Sequence, residues 1–164
     1  MTPEINQKTR QFQNSEHIGR YADANGRHIH YLEQGTGEAL LLIHSLGQSF
    51  FTWHRVIDAL SAQYRVIAVD LPGHGYSEKP ADEPSYAIGA LADTLVAFMD
   101  ELGVETANVI GFSMGGMIAL DMAARFASRI GALVLICPGG ITATMPYRVR
   151  SLESSITGWL TAAT

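Results

Sequence analysis

Only one cysteine, Cys137, stands in a chain of 164 residues, so no intrachain disulfide can form and a Cys/His metal knot lacks its ligands. Long apolar runs are missing as well. The longest uninterrupted one, Ala132 to Cys137, falls far short of the roughly 20 residues that cross a bilayer. Residues 1–15 are polar and hold no apolar stretch of the kind a secretory signal needs, so a cytoplasmic location is expected. Basic clusters are absent: 11 Lys and Arg face 16 Asp and Glu, a net charge of −5, and no patch could neutralise a track of phosphates. Neither nucleic acid nor a membrane is an expected partner. Internal repeats and low-complexity segments are lacking too. What remains is a globular composition, 47% hydrophobic and 16% charged, long enough to bury one core.

The periodicity predicts alternating strands and helices. Residues 1–15 carry no period and read as a loose arm. His17 to Tyr21 and Arg27 to Glu33 flank Asn25-Gly26, a pair that tolerates positive φ, and so predict a hairpin. Four short apolar runs without polar alternation follow: Leu40 to Ile43, Val66 to Val69, Ala107 to Ile110 and Ala132 to Cys137. Such runs mark strands buried on both faces, as in a parallel sheet. Between them lie helical patterns. Thr52 is a candidate N-cap for a helix with Trp53, Val56, Ile57 and Leu60 on its apolar face, and Ser85 for a longer one with Ile88, Leu91, Leu95, Phe98 and Leu102. Gly103 stands where a C′ glycine belongs. Gly115 to Phe126, rich in Met and Ala, predicts a helix buried almost all round. The expected class is therefore α/β, with right-handed crossovers. Residues 141–164 break the pattern, with weak helical periodicity and many Ser and Thr.

The chemistry concentrates at Gly111-Phe112-Ser113-Met114-Gly115, with Gly116 behind it. A G-x-S-x-G segment between a buried strand and a buried helix has the setting of a nucleophile elbow. There the serine is forced into a strained backbone, and its neighbours must lack side chains that would collide with strand and helix. The bend exposes Ser113 Oγ above the N-terminus of the helix, where free N–H groups and the macrodipole stabilise a developing oxyanion. A second donor is needed from the loop after the third strand, here His44-Ser45-Leu46-Gly47. By spacing, the oxyanion hole would be the backbone N–H groups of Leu46 and Met114. The competing reading is an ordinary turn feeding the next helix. Phe50, Phe51 and Trp53 are candidates for an acyl or alcohol pocket, or equally for the core under the first helix. Met114, Met117 and Met122 read as core filler, with Met114 also within reach of a substrate. Cys137 reads as a small buried hydrophobe.

Together, His44-Ser45-x-Gly47, Asp70-Leu71-Pro72-Gly73-His74-Gly75-Tyr76-Ser77 and Gly111-x-Ser113-Met114-Gly115-Gly116 resemble the α/β-hydrolase superfamily. The likeness is greatest to its bacterial esterase, enol-lactonase and meta-cleavage-product hydrolase branch, and it covers roughly residues 17–140. One departure is visible, His44-Ser45 where relatives more often have His-Gly. The resemblance implies a mostly parallel sheet with helices on both faces. It assigns residues 16–140 to the N-terminal part of that core, strands one to six, and residues 141–164 to the start of a helical lid. It also implies a serine hydrolase of carboxylic esters or lactones that needs no cofactor and no metal, with the small-molecule substrate as its partner. C–C bond hydrolysis of ring-cleavage products and cofactor-free perhydrolysis use the same residues. Serine at the elbow speaks against the dehalogenase and epoxide-hydrolase branches, which place Asp there.

The superfamily order is Ser, acid, His. All six histidines, at 17, 28, 30, 44, 54 and 74, precede Ser113, and Cys137-Pro138-Gly139-Gly140 offers no acid after the sixth strand. An in-chain triad of Ser113, His44 and Asp70 is disfavoured, because a base must reach Oγ with its imidazole aligned. The resemblance makes His44 a loop anchor instead, and Asp100, Glu101 and Asp121 read as solvated helix charges. Acid and base are thus expected beyond Thr164, in keeping with the ~200–250 residues or more of such a domain. A non-catalytic fragment or pseudo-hydrolase that binds a ligand or partner subunit is the alternative of another class. The sixth strand is expected to offer an apolar edge, open to self-association or to a C-terminal half.

Overall fold

A computed structural model describes residues 19–139; the expected arm, residues 1–15, and the whole of the expected lid, residues 141–164, lie outside the described residues. The chain enters as a hairpin, β1 (Arg20–Ala24) and β2 (Arg27–Gln34), paired antiparallel with Ala24 opposite Arg27. Asn25 and Gly26 both take positive φ, 53° and 75°, the conformation whose twist matches the flanking strands. The apolar runs become β3 (Ala39–Ile43), β4 (Arg65–Val69), β5 (Ala107–Phe112) and β6 (Ile130–Ile136). The strand order is β1-β2-β4-β3-β5-β6, and β4, β3, β5 and β6 run parallel. β3 and β5 are side by side, so the loop after β3 and the turn after β5 open on one edge of the sheet.

Each sheet face has its own core. On one, Leu41, Ile43, Ile67, Val69 and Val109 pack against Leu91, Leu95 and Phe98 of α2 (Ile88–Glu101) and Ile118 and Met122 of α3 (Met114–Arg125). On the other, Leu40, Leu42, Val66 and Ala68 pack against Phe50, Trp53 and Ile57. The runs lack polar alternation because both faces of β3 and β4 are covered. α2 ends as its sequence predicts, with Gly103 at φ +64 following Leu102. No helix among the described residues is long and apolar enough to cross a membrane.

The helix starts differ from expectation. The first helical segment splits into a 3₁₀ turn, Phe50–Trp53, and α1 (Ile57–Leu60). Ser49 caps the turn by accepting from the Phe51 N–H, not Thr52, whose hydroxyl instead donates to Gln48. The break between the two pieces rotates Val56 away from the buried side occupied by Trp53 and Ile57. Nor does Ser85 cap α2. It lies inside another 3₁₀ turn, Glu83–Tyr86, that Asp82 caps; Ala87 precedes α2 with no side-chain cap. Pro84, second in that turn, suits the first turn of a helix, where no backbone N–H is needed. α3 is enclosed along most of its length and exposed only at Ala124 and Arg125. Cys137 is exposed, not buried: β6 ends at Ile136, and the backbone turns at Cys137 with φ +45.

Candidate active site

Ser113 links β5 to α3 with φ 52° and ψ −110°, a conformation that an L-residue adopts only under constraint. The constraint is supplied from both sides. Its N–H donates to the Ile136 carbonyl of β6 at 2.9 Å, and its own carbonyl accepts from Gly116 and Met117 of α3 and from Gly139. The glycines around it are obligatory for packing. A Cβ on Gly111 would strike the Gly115 carbonyl and come within 2.8 Å of Gly116 Cα. One on Gly115 would strike the Ile43 carbonyl and lie 2.6 Å from His44 O, and one on Gly116 would lie 2.8 Å from Pro138 Cβ. Helix, strand and the end of β3 therefore meet at backbone contact, which brings the β3 loop to the N-terminus of α3 beside Ser113.

That loop holds Leu46 inside a turn closed by a bond from Gln48 N–H to Ser45 O, with Gly47 at φ +69. Among the described residues, neither the Leu46 N–H nor the Met114 N–H has an acceptor. His44 is completely buried. The Leu71 N–H donates to its Nε2 at 3.0 Å, so the ring proton sits on Nδ1, which donates to Ser45 O at 2.7 Å. Burial drives its pKa down to about 4, against an opposing pull from the Ser45 carbonyl. A neutral ring with both nitrogens engaged anchors a loop; it has no lone pair left to take a proton from Ser113.

Asp70, also completely buried, follows β4. Its carboxylate accepts from His30 Nδ1 at 2.8 Å, from the Phe50 N–H at 2.6 Å and from the Tyr76 N–H at 3.0 Å. Burial pushes its pKa up, but the bond from His30 and those from the two amides outweigh it and hold the carboxyl below its ordinary value. A Cβ on Gly75 would fall onto that carboxylate, so the motif glycine is needed there. The role of His30 was not legible in the sequence. It lies between Ile29 and Tyr31 on a strand with all three buried, and no spacing rule separates it from a core residue. Tyr21, Phe50 and Tyr76 pack around its ring.

The remaining candidates separate. Phe50 and Trp53 are buried in the core beneath the first helical turn, while Phe51 is half-buried and stacks on His54 at 4.4 Å. The Trp53 indole N–H is buried without an acceptor among the described residues. Met114 and Met122 are core residues. Asp100 pairs with Arg129 and Asp121 with Arg125 at the surface. No described side chain hydrogen-bonds Ser113 Oγ.

The family model for the alpha/beta hydrolase fold matches residues 38–158, a span that holds β4, β3, β5 and β6 and the turn at Ser113. The chain belongs to the α/β-hydrolase fold family. Within it, the chain is 38% identical over 133 residues to 2-hydroxymuconate semialdehyde hydrolase of Pseudomonas sp. (strain CF600), covering 79% of this chain and 47% of that protein. It is 37% identical over 109 residues to bifunctional epoxide hydrolase 2 of Mus musculus, covering 66% of this chain and 20% of that one. Among solved structures, the enol-lactonase from Burkholderia xenovorans LB400 superposes with a TM-score of 0.66 at 36% identity, covering 70% of this chain and 45% of the other. The chain thus spans less than half the length of these family members.

Proposed function

We propose that the protein is a serine hydrolase of carboxylic esters or lactones working through an acyl-enzyme on Ser113. The observation that carries this reading is the Ser113 backbone, held at φ 52° directly before α3. In this reaction Ser113 Oγ attacks the substrate carbonyl carbon, and the oxygen of the tetrahedral intermediate accepts from the Leu46 and Met114 N–H groups. Both donors lack other acceptors among the described residues, and the α3 dipole reinforces them. A histidine and an acid outside the described residues move the proton from Ser113 to the leaving group and then activate water. His44 is unsuited to that work for the reasons given above.

A second reading, C–C bond hydrolysis of a ring-cleavage product, is favoured by the 38% identity to 2-hydroxymuconate semialdehyde hydrolase. Epoxide opening through an ester intermediate needs a carboxylate nucleophile, and the elbow carries serine. The test is turnover of a short-chain p-nitrophenyl ester beside a ring-cleavage dienol. Ser113→Ala in the complete protein is expected to lower ester kcat by roughly 10³-fold or more while leaving the fold intact. A fluorophosphonate should label Ser113 and no other serine. Substantial turnover by folded Ser113→Ala protein overturns the mechanism, and preference for the dienol moves the assignment to the second reading.

A further inference from the structure

We infer that Asp70, held by His30, is a positioning residue that sets the oxyanion loop; the inference rests on the serine-hydrolase reading above. The loop that carries Leu46 runs from the end of β3 to the 3₁₀ turn at Phe50. Two consecutive residues after β4 grip it at both ends. At its start, the Leu71 N–H donates to His44 Nε2 and His44 Nδ1 donates to Ser45 O. At its end, Asp70 Oδ1 accepts from the Phe50 N–H at 2.6 Å. Between these two grips, Ser45 O also accepts from the Gln48 N–H, which closes the turn containing Leu46.

The grip is itself held in place. Asp70 Oδ2 is shared by His30 Nδ1 and the Tyr76 N–H, its carbonyl accepts from Ser77 Oγ at 2.6 Å, and its N–H donates to the His30 carbonyl at 2.8 Å. Ser77 Oγ in turn accepts from the His30 N–H. Asp70 is therefore joined to β2 through both its main chain and its side chain, and cannot shift without breaking a buried network. A buried carboxylate is costly unless it is hydrogen-bonded, and the three donors that satisfy Asp70 also fix the direction of both its oxygens. Here it transmits the position of β2 and β4 to the loop that carries the Leu46 N–H. Neither residue touches the reacting atoms; both act through the direction of the Leu46 N–H.

The experiment uses the complete protein with a p-nitrophenyl ester, reading kcat and KM separately, and fluorophosphonate labelling of Ser113. Asp70→Asn leaves a donor facing the Tyr76 N–H, and kcat is expected to fall roughly 10–100-fold with KM changed little. His30 separates positioning from packing. His30→Asn keeps an N–H near the Nδ1 position but removes the ring; His30→Phe keeps the ring among Tyr21, Phe50 and Tyr76 but removes the donor. If the clamp positions the loop, His30→Asn loses less kcat than His30→Phe; if the ring merely fills space, the order reverses and the inference is overturned. A folded Asp70→Asn protein with kcat within about threefold of the parent also overturns it. Should Asp70→Asn not fold, the His30 pair decides by itself. A parent protein that neither labels nor turns over overturns the serine-hydrolase reading and this inference with it; a labelled, active parent with unaffected variants overturns the clamp alone.

Discussion

His44 shows how burial decides the chemistry of a residue whose identity alone suggests a base. In the unfolded chain its pKa is near 6.5, while in the fold it lies at about 4. Below pH 6.5 the unfolded chain therefore takes up a proton that the folded one refuses. The resulting stability is fully present above about pH 6.5 and is lost as pH falls toward 4, by about 3 kcal/mol across the window. Asp70, with a depressed pKa, has the same sign but acts lower: its contribution is present above the ordinary carboxylate range and is lost as pH falls through its folded value. Urea unfolding between pH 7 and 4 should show the slope from His44. Its ring resonances should stay in place from pH 8 to about 5, and a midpoint above about 6 would show that Leu71 N–H does not hold Nε2. Six histidines before Ser113 could be counted from sequence, but which of them is locked, and how, depends on amides contributed by residues far along the chain.

Elements meet here through glycine, and two of these glycines make opposite cases. At Gly103, φ is +64 and a Cβ would meet nothing within 4 Å. Gly103→Ala therefore has only the left-handed backbone to contend with and should cost about 1 kcal/mol. Gly103→Asn should cost less, since asparagine tolerates that region. At Gly115 the backbone is ordinary helix, but the new methyl would run into carbonyls of Ile43 and His44. Gly115→Ala should destabilise by roughly 1–3 kcal/mol. It should also reduce ester turnover out of proportion, because the end of β3 that must yield leads into Leu46. Paired urea melts and kinetics check this, and unchanged activity in a destabilised Gly115→Ala protein would disconnect the α3 packing from the loop. Apolar runs and helical periodicity located β3 to β6 and both long helices because burial repeats regularly, whereas the first strand, expected at His17 to Tyr21, runs Arg20–Ala24, up to the Asn25-Gly26 turn. Caps were less legible: Thr52 and Ser85 are both reasonable cap residues, yet Ser49 and Asp82 do the capping. A turn of 3₁₀ helix before an α-helix shifts the first free N–H groups by several residues, and no apolar spacing announces it.

Across the whole molecule, β6 lies at the rim of the sheet and pairs only with β5 among the described residues. Val134 and Ile136, 50% and 40% exposed, sit in register with Ile110 and Phe112, so the four form an apolar row on the sheet face opposite α2 and α3. An open strand with such a row is a template for another chain. A polypeptide limited to residues 1–164 is expected to self-associate or to capture a strand or helix from a C-terminal half supplied separately. Light scattering and analytical ultracentrifugation read the outcome. Val134→Lys with Ile136→Lys should move it toward monomer, whereas a monomeric parent that unfolds cooperatively would show that the row is already covered. The same polypeptide is expected to turn over a p-nitrophenyl ester slowly, because no described side chain hydrogen-bonds Ser113 Oγ and His44 is engaged at both ring nitrogens. Full activity from residues 1–164 alone would overturn that and restore a base within them.

Local sequence was enough to determine the order of strands and helices, the hairpin at Asn25-Gly26 and the strained serine between β5 and α3. Each depends on a period, a dipeptide or a run of small residues within a few positions of one another. Tertiary structure alone decided that His30 and Asp70 are partners, that His44 is neutral and engaged at both nitrogens, and that Phe50 and Trp53 face the core. The bonds from His30 and Phe50 to Asp70 and from Leu71 to His44 join residues 20 to 40 positions apart. A hydrogen bond between distant residues leaves no spacing pattern in a single chain, since its two ends are brought together only by the crossing order of the sheet.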